Sequence, residues 1–249
     1  MPMKAGEIVD PAWKVLYKVG GLSFLIDGII LLIIIAISFQ GNVNVTTSQT
    51  FGLGTIIRAF EFGLLPLPSS AGEGLKLTAA NAASAQAYYI AGILLFALLI
   101  PAMLALYFVL KDVNKSYTLI AIGIAGGGIA AFFATVGNAF SVIVLAQLYT
   151  GASTDAQRAA YLAAAQGSFT VLTVGSNLSN ALLYFAAFIA SLVMFRSLFG
   201  KAAASLGITI GALSILNLVV SLGFFLSLIV SVITVIWVFT VGYKLYKLG

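Results

Sequence analysis

Long apolar stretches without a charged residue constrain this sequence more than any other feature. No Asp, Glu, Lys or Arg occurs from Tyr117 to Tyr149 or from Ala202 to Tyr243. Soluble domains carry charges on about a quarter of their residues, whereas 8% of these 249 residues are charged. About 20 apolar residues in a helix cross the hydrocarbon core of a bilayer. The sequence therefore predicts an all-α, polytopic membrane helix bundle.

Polar and basic connections divide the apolar regions into six predicted transmembrane helices. Pro101 lies inside the second and is expected to kink it, because proline lacks a backbone N–H. The third is longer than the membrane core, so it must tilt, protrude or kink around Gly126–Gly128. Gly223 is the expected turn between the last two. The predicted spans are residues 19–39, 87–110, 117–149, 172–195, 206–222 and 224–243.

The distribution of basic residues predicts which ends of the spans face the cytoplasm. With six spans both termini lie on one side, and most of the 12 Lys and Arg residues share that side. Cytoplasmic loops carry such an excess of basic residues, so both termini are predicted to be cytoplasmic in a cell membrane. The outer side keeps Arg58, Lys76 and Arg158, and the cytoplasmic side has Lys4, Lys14, Lys18, Lys111, Lys115, Arg196, Lys201, Lys244 and Lys247.

Residues 41–84 form a long predicted outer loop between the first and second spans. Four apolar side chains within residues 56–64 recur at helical spacing and indicate a short interfacial helix. Asn44 begins an Asn-Val-Thr sequon, a candidate site for N-glycosylation on this loop. In the second outer connection, Thr154 and Gln157 fit a capping box that starts an alanine-rich helix.

Two residue types that carry much of protein chemistry, cysteine and histidine, are missing from the sequence. Their absence excludes disulfides, thiolate and imidazole metal sites and the usual haem ligands. It also excludes Ser-His-Asp and Cys-His catalytic arrangements. The net charge of +5 comes from basic residues scattered between apolar stretches, which does not indicate a nucleic-acid partner. The sequence predicts no cofactor, no metal and no enzymatic activity.

Asp27 is the only charged residue well inside a predicted span. A carboxyl group inside a bilayer is costly unless it is paired, protonated or hydrated, so Asp27 is a candidate proton or cation site. Asn177 and Asn180 are further candidates for this polar site, because residues three apart share one face of a helix. The alternative role is structural, since polar residues in membranes also form interhelical hydrogen bonds.

Two pairs of glycines, each four residues apart, predict close packing of helices. They are Gly123 with Gly127 on the third span and Gly207 with Gly211 on the fifth. Small residues at this spacing let helix backbones approach closely in membranes. Contact within one chain is the first interpretation, and association of two copies is the second.

Several segments in this order resemble a group of prokaryotic, largely archaeal, multi-pass membrane proteins of unknown function. The segments are WKVLYKVGG at residues 13–21, PAMLALY at 101–107, KDVNKS at 111–116, TDAQRAA at 154–160 and FRS at 195–197. The resemblance covers most of the chain, although none of these motifs is chemically specific. It implies a six-span topology and a prokaryotic cell membrane, and it implies no activity or functional residues.

The missing catalytic residues and the single intramembrane charge favour a non-enzymatic role. The first hypothesis is a structural or accessory component of a membrane assembly. Its partners would be the lipid bilayer and other membrane subunits or a second copy of the chain. The alternative is a small transporter or channel that uses Asp27, and the two differ in whether Asp27→Asn changes a measurable flux.

Overall fold

Residues 11–43, 71–220 and 224–249 are described in a computed structural model, and every element among them is helical. The all-α class is thereby confirmed for this part of the chain. A 3₁₀ turn, Pro11–Trp13, precedes α1 (Lys14–Val43), α2 (Ala71–Ala80), α3 (Ala82–Thr135), α4 (Gly137–Gly151), α5 (Asp155–Met194), α6 (Gly200–Val220) and α7 (Phe224–Leu248). The predictions for Asn44, for residues 56–64 and for the turn at Gly223 lie outside the described residues.

Four of the described helical stretches are long and apolar enough to cross a membrane. They are Lys14–Ala36, Ala82–Gly151, Asp155–Met194 and Leu228–Leu248, and Gly200–Leu216 is a shorter apolar helix. A bilayer requires about 20 apolar residues per helix, which each of the four stretches provides. Length and composition therefore indicate a membrane location for the chain.

Helix α3 doubles back on itself at Asn114. The backbone of Asn114 is extended (φ −158°, ψ 95°) within an otherwise helical segment. Its Oδ1 accepts a hydrogen bond from the backbone N–H of Tyr117 at 3.2 Å, which caps the arm that follows. A Cβ atom on Gly92 would lie 3.4 Å from the ring of Phe132. Because these residues flank Asn114 at similar distances in sequence, the two arms run side by side in opposite directions.

The apolar segment after Asn114 is interrupted a second time, between α3 and α4. The interruption is at Val136, next to Thr135, whose hydroxyl donates to the carbonyl oxygen of Ala131 at 2.9 Å. Hydrogen bonds of this kind compete with the helical backbone pattern and often bend helices. The run Gly126–Gly128, where the sequence suggests a kink, lies inside the helical part of α3.

The described helices contribute to two compact units, each assembled from segments that are distant in sequence. Helices α1, α3 and α5 each pass through both units. Among the described residues, the first unit consists of residues 11–32, 94–129, 181–220 and 224–249, and the second of residues 33–43, 71–93 and 130–180.

Two adjacent glycines bring α1 into direct contact with other helices of the first unit. A Cβ atom on Gly20 would overlap the side chain of Ala105 on α3. A Cβ atom on Gly21 would lie 2.7 Å from the Cα of Tyr246 on α7. Only a residue without a side chain permits such close approach of helix backbones.

Aromatic and basic side chains lie together at one end of the first unit, next to the first and last described residues of the chain. Trp13 stacks on Phe108 of α3, with ring centroids 3.8 Å apart. The ammonium group of Lys244 donates to the carbonyl oxygen of Phe199, in the turn that precedes Gly200. Gly200 has a left-handed φ of 69°, a conformation that favours glycine. Such a collar of aromatic and basic residues is typical of a membrane–water interface.

Two buried apolar clusters stabilise the second unit. Helix α2 packs against α4, and the hydroxyl of Tyr149 fills the space that a side chain on Gly72 would need. The sequence predicts an outer loop through this region, but residues 71–80 form a helix because burial of an apolar face stabilises it. The clusters are Ala85, Tyr89, Ala139, Ile143 and Leu172, and Leu75, Val142, Ala146 and Ala165.

Helix α5 begins with the capping box that the sequence predicts. The backbone N–H of Gln157 donates to Oγ1 of Thr154 at 3.2 Å, and the backbone N–H of Thr154 donates to Oε1 of Gln157 at 3.3 Å. These reciprocal bonds satisfy donors that a helix start leaves free. The alanine-rich stretch after the cap continues without interruption into the apolar part of α5.

Candidate functional site

Asp27 lies in the interior of the first unit. Its side chain is 1% exposed, and neither carboxyl oxygen has a hydrogen-bond partner among the described residues. An ion pair in the described part of the chain joins Arg158 to Asp155, at 3.4 Å, and does not involve Asp27. The hydrogen-bonded structural role considered for Asp27 is therefore not what the described contacts show. A buried polar group without a partner is uncommon in folded proteins and requires an explanation.

The position of Asp27 along α1 follows from contacts on either side of it. Phe24 meets Trp237 of α7 edge-on, with ring centroids 6.2 Å apart and planes at 80°. A Cβ atom on Gly28 would lie 2.8 Å from the ring of Phe239. Asp27 lies between these two positions on α1, so it is at the level of Trp237 and Phe239 on α7.

Helices α5, α6 and α7 meet at this same level, around Gly207 of α6. A Cβ atom on Gly207 would lie 2.6 Å from Nε1 of Trp237 and 2.9 Å from Cβ of Ser191, and would overlap the Ser191 hydroxyl. Both side chains are buried, at 4% and 0% exposure. Neither the Trp237 N–H nor the Ser191 hydroxyl has a hydrogen-bond partner among the described residues.

Asp27, Ser191 and Trp237 together are called the polar layer below. Each belongs to a different helix of the first unit, and all three are buried with polar atoms that no described group satisfies. Ser214 is a fourth such residue and lies on the same face of α6 as Gly207, seven residues further along. Ser23 differs from them, because its hydroxyl donates to the carbonyl oxygen of Val19 at 2.9 Å.

The chemistry of the polar layer is limited to one carboxyl group, one hydroxyl and one indole N–H. A hydroxyl can donate and accept, whereas the indole N–H only donates. Apart from Asp27, the sequence has no Asp, Glu, Lys or Arg within residues 19–32, 94–110, 202–220 or 224–243, which belong to the first unit. No group of three or more Asp or Glu side chains suited to a metal ion occurs in the described residues.

The two predicted asparagines belong to the second unit, whereas Asp27 belongs to the first. On the same part of α5, Ser176 and Ser179 are more deeply buried, at 4% and 1% exposure. Their hydroxyls and Oδ1 of Asn177 are buried without a described hydrogen-bond partner, and Asn180 is half-buried. Asn177 and Asn180 thus share this part of α5 with the two buried serines.

The four predicted packing glycines have different surroundings. A Cβ atom on Gly207 would meet Ser191 and Trp237, and one on Gly211 would lie 2.6 Å from Cβ of Phe188. On Gly127 it would lie 3.7 Å from a methyl group of Leu182, an ordinary contact. Around Gly123 nothing described lies within 4 Å. The close contact within one chain that the motif predicts is therefore present at Gly207 and Gly211 and absent at Gly123 among the described residues.

Ser191 and Trp237 are the site residues that sequence reasoning missed. One available signal was the position of Trp237, since tryptophans of membrane proteins concentrate at the interfaces and Trp237 lies within a span. Gly207 was correctly selected as a packing position, but the pattern does not say which side chains it meets.

No known protein family, curated protein or solved structure matches this chain. The resemblance to prokaryotic multi-pass membrane proteins therefore remains a prediction from the sequence.

Proposed function

We propose that the chain crosses a prokaryotic cell membrane six times with both termini in the cytoplasm. The two arms of α3 on either side of Asn114 would supply the second and third crossings, the latter continued by α4. Helix α6 would supply the fifth, because it packs along α7 and is apolar through residues 202–220. The basic side chains near the termini and near Phe199 support the orientation, through the positive-inside rule.

Single cysteine substitutions test this topology directly, because the natural chain contains no cysteine. Lys115→Cys and Arg196→Cys should be protected from an impermeant maleimide in intact cells and should react after permeabilisation. Arg158→Cys should react in intact cells. All three side chains lie on helix ends or turns and are exposed. Reaction of Lys115→Cys and Arg158→Cys from the same side would contradict the six-span arrangement.

We propose that the protein is a small membrane transporter whose ion-binding group is Asp27. The observation that carries this proposal is the buried carboxyl group of Asp27, which has no described hydrogen-bond partner for either oxygen. An ionisable residue inside a membrane segment is expensive and usually marks an ion or substrate pathway. A carboxyl group that only joined helices would be hydrogen-bonded, since satisfied polar contacts are what stabilise such joints.

A structural or accessory role in a membrane assembly is the second candidate. The observation in its favour is the open surface of α3 at Gly123 and Gly126, where nothing described lies within 4 Å. Glycines on a membrane helix allow another helix to pack closely, so this surface suits another subunit or a second copy. The two candidates make different predictions for Asp27→Asn. Under an accessory role, the substitution would change no ion flux across the membrane.

Reconstitution into proteoliposomes tests the transport proposal. The wild-type protein should dissipate an imposed gradient of protons or monovalent cations, and Asp27→Asn should reduce the rate at least about tenfold, as loss of an essential group does. Asn has nearly the shape of Asp but cannot carry the charge. Asp112→Asn is the matched control, because Asp112 is exposed at the turn of α3 and should keep the wild-type rate.

Equal rates for wild-type protein, Asp27→Asn and empty liposomes would refute the transport proposal. The accessory candidate would then be supported if gently solubilised material has a mass well above the 26.0 kDa of the chain. The mass of bound detergent must be subtracted from the measured mass, for example by combining light scattering with absorbance.

A further inference from the structure

The donors and acceptors of the polar layer bear on which ion Asp27 binds, a question that rests on the proposed transport function. Metal ions such as Ca²⁺ and Mg²⁺ take about six oxygen ligands in proteins. The described polar layer offers the two oxygens of Asp27 and the hydroxyl of Ser191. Even with Ser214 this falls short of a coordination shell.

Trp237 makes the polar layer less suitable still for a metal cation. Its indole N–H can only donate and has no acceptor among the described residues, and it lies beside the Ser191 hydroxyl at Gly207. A hydrogen-bond donor presents positive charge, which disfavours a cation nearby. A proton differs from a metal ion because it binds covalently to one oxygen and needs no coordination shell.

Among the described residues, no Lys or Arg side chain forms an ion pair or hydrogen bond with Asp27. On α7, Tyr246 lies against Gly21, which precedes Asp27 by six residues or about 9 Å along the helix. The ammonium group of Lys244 donates a hydrogen bond to the carbonyl oxygen of Phe199. The other described ionisable residues of this unit lie near helix ends or at turns, or are tyrosines. They are Lys14, Tyr17, Lys18, Tyr107, Lys111, Asp112, Lys115, Tyr117, Tyr184, Arg196, Lys201, Tyr243, Lys244, Tyr246 and Lys247.

We propose that the ion carried by Asp27 is a proton. One oxygen of the carboxylate takes up a proton to give a neutral carboxylic acid, and release of the proton regenerates the carboxylate. No other bond is formed or broken, and no electron is transferred. The neutral acid is the form compatible with the described surroundings, because an isolated carboxylate in an apolar interior is far more costly than a neutral group.

A hydrophobic carbodiimide tests this proposal on the wild-type chain. The reagent dissolves in the membrane and adds to protonated carboxyl groups, giving an N-acylurea that contains all atoms of both reactants. Mass spectrometry of the digested protein should locate the adduct at Asp27, and the extent of reaction should fall as the pH is raised. The exposed carboxyl groups of Asp112 and Asp155 serve as internal controls and should remain unmodified.

Competition by metal ions separates the proton from other cations. At fixed pH and ionic strength, Na⁺, K⁺ and Ca²⁺ should protect Asp27 no better than choline does. Protection by one of the metal ions would overturn the proton assignment and leave the transport proposal intact. If Asp27 does not react with the carbodiimide at any pH tested, the proton assignment is also overturned. The transport proposal is tested separately, by the ion flux of Asp27→Asn in proteoliposomes.

Discussion

Gly21→Ala is expected to separate α1 from α7 and to destabilise the first unit more than any other glycine substitution considered. The new Cβ atom would overlap the backbone nitrogen of Tyr246 and lie 2.8 Å from the carbonyl oxygen of Gly242. These are backbone atoms, so α7 must shift as a whole to make room. Overpacking of this kind costs about 1–3 kcal/mol, and more when the backbone must move. The free energy of unfolding in mixed micelles, measured by titration with dodecyl sulfate, should fall accordingly.

Gly123→Ala is the matched control for this substitution. No described neighbour lies within 4 Å of a Cβ atom built on Gly123. Alanine is favoured over glycine in a helix by about 1 kcal/mol. The control should therefore be as stable as the wild type or more stable. Gly207→Ala should fall between the two, because its new methyl group meets side chains of Ser191 and Trp237. Equal stabilities for Gly21→Ala and Gly123→Ala would show that the α1–α7 contact does not hold the unit together.

The parts of the fold that the sequence predicted are those determined by local chemistry. Long apolar stretches require helices in a membrane, because backbone polar groups must be satisfied within the segment. The capping box at Thr154 and Gln157 depends on residues three apart, and it forms as predicted. Similarly, Asn114 lies in a polar segment, and its extended backbone starts the turn of α3.

The arrangement of the helices was harder to predict for a physical reason. In a soluble protein the apolar face of a helix identifies its buried side. In a membrane helix the lipid-facing side is also apolar: Leu94 is 53% exposed and Ile229 50% exposed. Hydropathy therefore did not indicate that α5, α6 and α7 bring Ser191 and Trp237 together at Gly207. Helix α2 was missed because its Leu75 is stabilised by contacts with residues far away in sequence.

The candidate site shows the same division between local and tertiary information. Asp27 was identified from sequence because a lone charge in an apolar stretch is conspicuous. Asn177 and Asn180 were selected by residue type, but Ser176 and Ser179 are the more deeply buried side chains on that part of α5. Serine is small and common in membrane helices, so its position in the sequence does not indicate a site, and only its burial distinguishes it.

Asp27→Leu is expected to make the protein more stable and inactive in transport. Leucine has the branching of aspartate with methyl groups in place of the two oxygens. The substitution removes a buried carboxyl group that no described residue satisfies, and an unsatisfied polar group costs about 1–3 kcal/mol. The free energy of unfolding should rise by up to that amount, while the flux in proteoliposomes should fall to the level of Asp27→Asn. Functional sites commonly reduce stability in this way.

Ser23→Ala is the control for removing a buried polar group that does have a hydrogen-bond partner. Ser23 is buried on the same helix, one turn before Asp27, but its hydroxyl is bonded to the carbonyl oxygen of Val19. Its replacement should change stability by no more than about 1 kcal/mol, the net value of an ordinary hydrogen bond, and should leave the flux unchanged. If Asp27→Leu instead lowers stability by several kcal/mol, Asp27 contributes to holding the helices together. A stabilised, inactive protein is the result that only a functional carboxyl group explains, because selection for folding alone would not retain it.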